Sequence, residues 1–244
     1  MNQSTGELLK QLQLKESEHY LVGAAAQAIF KCVECGKCCQ DEGYALVNDQ
    51  DINRIAELKG FTFEDALEVF TDPDPKRRQG LRMLKNVGPD NLCVFFDSSN
   101  KRCTIYEFRP AICRTHPMMN LPGTFNVLCP GTMNLLNMLR TKREDSVVKR
   151  HIERLKRKKK DSLRLKIKLF IYTLQCHMED VDEIAKSYQI KIPFDEDDFK
   201  KECLAYLCLS INSEDLDNMF ASIREKEQRG WYPFNETRKN LFLL

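Results

Sequence analysis

The chain has 244 residues, 42% hydrophobic and 30% charged with a formal net charge of +2, enough apolar content for one large or two small folded domains without covalent staples. Eleven cysteines, an odd number in a chain of this length, argue against a disulfide framework. No apolar run approaches the roughly 20 residues that span a bilayer, and the small-residue run near the N-terminus follows charged residues without a basic patch ahead of it, so the expectation is a cytoplasmic protein with no membrane partner and reduced thiols.

In chain order, residues 5–30 carry apolar residues at three- and four-residue steps without proline, which predicts a helix leading into a cysteine-rich stretch. "VNDQDINRIAELKG" predicts a helix capped by Asn48 or Asp49, with Ile52, Ile55 and Leu58 on one face and Gly60 as its stop. "FTFEDALEVFTD" predicts a second short helix, and the prolines of "DPDPKRRQG" predict a loop. "NLCVFFDSSNKRCTIY" has two apolar arms around a turn-rich centre and predicts a β-hairpin. Centring the turn on Ser98 puts Cys93 opposite Cys103. "RPAICR" suits a helical turn entered through Pro110, and a loop with Pro122 and Gly123 ends at Cys129-Pro130.

Beyond that point the chain becomes long, charged and poor in glycine. A basic helix is expected from about Thr141 to His177, a second from "FDEDDFKKECLAYLCLS", and a third with Ser213 as N-cap and Gly230 as stop. The fold class expected is α+β, mostly α. A cysteine-rich metal-binding domain over 1–138, with its core at 30–130 and a short β-hairpin, precedes an all-helical region over 139–244.

Eight cysteines fall in the first part: Cys32, Cys35, Cys38, Cys39, Cys93, Cys103, Cys113 and Cys129. Cys32, Cys35 and Cys38 form C-x2-C-x2-C, the spacing that wraps three corners of a [4Fe–4S] cluster, and Cys129-Pro130 has the form of a remote fourth ligand. Adjacent side chains rarely aim at one point, so Cys39 is expected to turn away from Cys38, leaving Cys39, Cys93, Cys103 and Cys113 for a second four-thiolate site or one that shares the first. A four-thiolate site on Zn²⁺ or [4Fe–4S]²⁺ carries a net charge near −2 and needs cations close by. Lys31, Lys37, Arg102, Arg109 and Arg114 lie within a few residues of a candidate ligand and are the first choices to line a cofactor. Cys176, Cys203 and Cys208 read as small buried apolar residues.

"CVECGKCC" followed by "CVFFDSSNKRCTIYEFRPAICRTHP" resembles the CxxCxxCC family, also known as YkgJ-type cysteine cluster proteins, over about residues 30–130. That resemblance implies zinc or iron chelation by Cys32, Cys35, Cys38, Cys39, Cys93, Cys103 and Cys113, with Cys129 as the late cysteine. His116 stands where relatives carry an aromatic residue before Pro117; it reads as a neighbour of the site rather than a ligand. The resemblance extends to the cysteine domain of flagellin lysine N-methylases, which keeps a protein-modifying enzyme among the alternatives.

The residues thus point to an iron–sulfur protein, [4Fe–4S] ahead of Zn²⁺, in a redox or protein-modification role. The alternative is a zinc-stapled interaction module. Between Arg140 and Lys168 stand fourteen Lys or Arg against four Asp or Glu, while the rest of the chain is net acidic. That segment invites a nucleic-acid or acidic-partner reading, but a solvated helix face is favoured over both because Val148, Ile152, Leu155, Leu163 and Ile167 give it a packing side. The partner expected for the C-terminal helices is an unidentified protein, with nucleic acid not favoured. No G-x-G-x-x-G, Walker A loop or G-x-S-x-G elbow occurs in the sequence, so whether the chain is an enzyme stays open.

Overall fold

The computed structural model describes residues 15–33, 35–40, 45–118, 129–177 and 179–228. Among them are ten α-helices, two 3-10 turns and three small antiparallel sheets, which makes the chain α+β and mostly α, as expected. None of these helices is long and apolar enough to cross a membrane. The contacts gather the chain into two compact units, residues 32–116 and residues 1–31 with 117–244.

The smaller unit begins with a 3-10 turn at Lys37–Cys39, then β1 (Leu46–Val47), α2 (Asp49–Lys59) and α3 (Phe63–Phe70). α2 is bounded by local chemistry. Asn48 and Asp51 exchange backbone and side-chain hydrogen bonds in a capping box, and Gly60, at φ 70°, takes the left-handed conformation that closes the helix. Thr62 caps α3 by accepting from the Asp65 N–H at 3.1 Å. β2 (Thr71–Pro73), β3 (Arg82–Leu84) and β1 form one sheet in the order β1-β3-β2. β4 (Asn86–Val87) pairs with β5 (Leu92–Cys93), and β6 (Phe96–Asp97) with β7 (Arg102–Cys103). A 3-10 turn at Tyr106–Phe108 leads into α4 (Ala111–Thr115). The core is Val47, Ile52, Ile55, Ala56, Ala66, Leu84, Phe95 and Ile105, and Cys93 and Cys103 pack against it.

The larger unit is helical: α1 (Lys15–Ile29), α5 (Pro130–Lys142), α6 (Ser146–Arg157), α7 (Lys159–Cys176), α8 (Asp182–Ser187), α9 (Glu196–Ser210) and α10 (Ser213–Gln228). Ala24, Ala25 and Ala26 give α1 a low-profile face, and α1 packs against α9 and α7. Small side chains let helix backbones approach closely, and Leu135, Leu136, Leu139, Leu169, Cys203, Leu207, Phe220 and Ile223 fill the same core. The reading of Cys203 and Cys208 as buried apolar residues holds; Cys176 is half-buried.

Three expectations change. Residue 138, where the sequence suggests a boundary, lies inside α5, because Leu135, Leu136 and Leu139 bury with α1 and α9; the compact units change at 31/32 and 116/117 instead. The single basic helix expected over 141–177 is the end of α5 followed by α6 and α7, broken at 143–145 and again at Lys158 with φ −115° and ψ 96°. Stacked like charges at i,i+4 weaken a helix, and the break lets Leu155 of α6 and Leu165 of α7 enter one core. The cap of α10 is Asn212 rather than Ser213. Asn212 accepts from the Asp215 N–H at 2.8 Å, and its own N–H donates to Asp215 at 2.9 Å. Gly230 and the part of the first predicted helix before Lys15 lie outside the described residues.

Candidate metal centre

The site is built from the loop that carries the first cysteines and from the hairpin β6–β7. Gly36 sits at φ 67°, and a Cβ on it would lie 2.5 Å from the Phe96 ring. Only glycine satisfies both the left-handed backbone and the close approach. The Cys39 N–H then donates to the Gly36 carbonyl at 3.0 Å, which winds the chain into the 3-10 turn bearing Cys38 and Cys39. Phe96 is paired directly with Cys103, so laying Gly36 on Phe96 delivers Cys38 and Cys39 to Cys103.

The hairpin forms in a different register from the one expected. Cys103 faces Phe96, and Cys93 faces Asn86 in the preceding β4–β5 ribbon. The cause is Asp97, whose carboxylate accepts from the Ser99 N–H at 2.9 Å, the Ser99 hydroxyl at 2.6 Å and the Asn100 amide at 2.6 Å. These bonds hold its carboxyl down at about 2 and set the turn after Asp97. Lys101, at φ 54°, completes it.

Five sulfurs share one neighbourhood. Cys38 Sγ and Cys39 Sγ are 4.0 Å apart, so the tight turn sets the two sulfurs side by side and Cys39 does not turn away. Cys39 is hydrogen-bonded to Cys103 and to Cys38, and these bonds with burial push its own thiol up. The same bond from Cys39 lowers Cys38, and lowers Cys103 to about 7, with the Arg109 guanidinium helping at both and the Lys59 ammonium at Cys103. Burial raises Cys93 to about 11, with the charges of Cys103 and Cys38 adding to it. Burial also raises Cys113, and the charges of Cys38, Cys93 and Cys103 add while Arg109 opposes. Cys38 therefore groups with Cys39, Cys93, Cys103 and Cys113, which does not follow the expected division into Cys32, Cys35, Cys38, Cys129 and a second four. Among the described residues no three His, Cys, Asp or Glu side chains are already close enough together to hold a metal ion as they stand.

Asp51, itself 4% exposed, ties α4 to α2. Its carboxylate accepts the Ala111 N–H at 3.2 Å while pairing with Arg54. That bond fixes the start of α4 and with it Cys113. The Arg109 guanidinium carbon lies 3.7 Å from the centre of the Tyr106 ring, and the Arg109 carbonyl accepts from Arg114 Nε at 2.7 Å. Among the described residues Arg109 Nε is buried and has no hydrogen-bond partner.

The remaining candidates fall as follows. Cys32 is exposed and hydrogen-bonds with the Tyr106 side chain; Cys35 is half-buried on the same loop. Cys129 is the N-cap residue of α5, in the helical unit, as is the exposed Lys31. The Lys37 side chain lies outside the described residues. Arg102 is exposed and pairs in register with Asp97, and Arg114 binds the backbone of Arg109. His116 ends α4, and burial pulls its imidazole down to about 4, so it is neutral at ordinary pH. Sequence reasoning missed Lys59, Tyr106 and Asp51. Lys59 is 44 positions from Cys103 and carries no local signal; Tyr106 and Asp51 stand in the quoted "IYEFRP" motif and in the capping box of α2.

The profile of the CxxCxxCC family, described as "Putative zinc- or iron-chelating domain", matches residues 31–151. The match spans 121 of the chain's 244 residues and is to that domain. It is also 33% identical over 113 residues to "Uncharacterized protein MJ0661" of Methanocaldococcus jannaschii, an alignment covering 46% of this chain and 54% of that protein. The chain thus spans about half the length of this curated relative. No solved structure matches it.

Proposed function

We propose that the 32–116 unit holds a polynuclear iron–sulfur centre, a [4Fe–4S] cluster foremost, in a redox role. The observation that carries this reading is the gathering of Cys38, Cys39, Cys93, Cys103 and Cys113. All five are soft thiol donors, the ligand type iron–sulfur clusters take, and a [4Fe–4S] cluster needs four of them. The donor set fits such a group: sulfur only, with Arg109 and Lys59 as counter-charges and the buried Arg109 Nε as a spare donor. When bound, an iron–sulfur cluster supplies a one-electron couple whose potential follows net charge and hydrogen bonding at the sulfurs. The chain's own residues order the loop through Gly36, favour the thiolate form at Cys38 and Cys103 through the bond from Cys39 and the charge of Arg109, and balance negative charge.

One observation favours zinc in the same place. The 4.0 Å between Cys38 Sγ and Cys39 Sγ is close to the roughly 3.8 Å edge of a tetrahedral Zn–S₄ site. Metal and acid-labile sulfide analysis of anaerobically purified protein separates the two. Iron with matching sulfide and visible charge-transfer absorbance is the expected result, lost in Cys38→Ser, Cys103→Ser and Cys113→Ser and kept in Cys176→Ser. Zinc without colour moves the reading to a structural module, and neither metal overturns both. The same analysis of Cys32→Ser, Cys35→Ser and Cys129→Ser decides whether those cysteines add ligands.

For the helical unit we favour a protein partner over nucleic acid. Arg154 and Lys168, two cations of the basic segment, are spent on Glu202 within the unit at 2.7 and 2.6 Å. Absence of co-purifying nucleic acid at low salt is the expected result, since phosphate contacts are strongest there.

A further inference from the structure

We propose that Tyr106 and Arg109 form a clamp for the thiolate centre, with the Tyr106 hydroxyl positioning Cys32 and the stacked guanidinium acting as counter-ion to the sulfurs. This rests on the metal-centre reading above and adds to it two positioning residues that are not ligands.

The argument is geometric. The guanidinium carbon of Arg109 stands 3.7 Å from the centre of the Tyr106 ring, within the range of a cation–π stack. The phenol of the same ring hydrogen-bonds with Cys32, the first cysteine of the loop, which is otherwise exposed. Arg114 Nε donates to the Arg109 carbonyl at 2.7 Å, so the backbone beneath the guanidinium is pinned just before α4. The positive charge of Arg109 reaches Cys38, Cys103 and Cys113, which sit on three separate segments. Four residues of sequence, Tyr106 to Arg109, therefore link the first cysteine of the loop to the charge that steadies the others. The spacing suits this. Tyr106 opens a 3-10 turn and Arg109 follows it, and residues three apart lie on one side of such a turn.

Each half of the clamp has its own cost when lost. A centre with four thiolates carries about −2, and groups that support metal ligands from outside change metal affinity by about tenfold to a hundredfold when removed. Phe at 106 keeps the ring and the stack and loses only the hydroxyl. Lys at 109 keeps the charge and loses the planar stack, whereas Gln keeps neither.

The test is a cobalt(II) titration of the full-length, metal-free chain under anaerobic conditions, read by thiolate-to-cobalt charge transfer against a competing chelator. Apo-protein melting is measured alongside. Tyr106→Phe should bind cobalt about tenfold more weakly with an unchanged apo melting curve. Arg109→Gln should lose more, and Arg109→Lys should recover part of that loss. Tyr106→Phe and Arg109→Gln variants that bind as tightly as the parent chain would overturn the clamp and leave the metal centre standing. A parent chain that binds no cobalt would overturn both.

Discussion

At the residue scale the centre hangs on one glycine. A side chain at position 36 meets two separate obstacles: φ 67° disfavours any Cβ, and the Phe96 ring occupies the place a Cβ would take. The backbone effect is about 1–2 kcal/mol and overpacking adds about 1–3 kcal/mol. Gly36→Ala is therefore expected to lower the stability of the 32–116 unit by about 2–5 kcal/mol and to reduce metal content, because the loop no longer rests on the residue paired with Cys103. Adding Phe96→Ala removes the collision and keeps the strained backbone. The double variant should thus be less destabilised than the sum of the two single ones, measured as urea midpoints. Strict additivity would show that Gly36 and Phe96 do not touch in solution. The cysteine spacing made this loop visible in the sequence; the partner of Gly36 was not visible, because Phe96 lies 60 residues on.

At the element scale, what could be read from the sequence follows the range of the interaction. The caps of α2, Asn48 and Gly60, are chosen within a few residues, and their identities alone announce them. The short helices α3 and α4 and the hairpin were legible for the same reason. The register of that hairpin was not, since several residues of "DSSNK" can each begin a turn and the choice is made by the hydrogen bonds Asp97 collects. Asp51 is a local cap whose second duty is long-range: it holds the Ala111 N–H at the head of α4. Asp51→Ala removes both and leaves the Arg54 guanidinium without its carboxylate, so a loss of about 1–3 kcal/mol is expected. Asp51→Asn retains an acceptor and should lose less. Metal retention should follow the same order, because Cys113 rides on α4. Equal metal content in both variants and the parent would separate α4 from the centre.

At the scale of the whole molecule, the chain returns on itself: α1 precedes the thiol-bearing unit in sequence yet packs with α9 and α7. Periodicity predicted α1 and could not say what would cover it, since its partners lie well over 100 residues away. Two cations of the basic segment 140–168 are likewise met by one distant residue. Glu202 of α9 is 8% exposed and takes Arg154 of α6 and Lys168 of α7 together. Removing one member of a fully buried ionic group costs about 3–5 kcal/mol, because the charges left behind have no partner. Arg154 is about one-third exposed here and can turn to water, so Glu202→Ala should cost less, about 2–3 kcal/mol. Lys168 is 15% exposed and has less freedom. Adding Lys168→Met to Glu202→Ala removes that stranded ammonium from the helical unit and should restore part of the stability, seen as a higher thermal midpoint than Glu202→Ala alone. If the double variant melts below the single one, the ammonium is solvated without Glu202 and the trio is not what joins α6, α7 and α9.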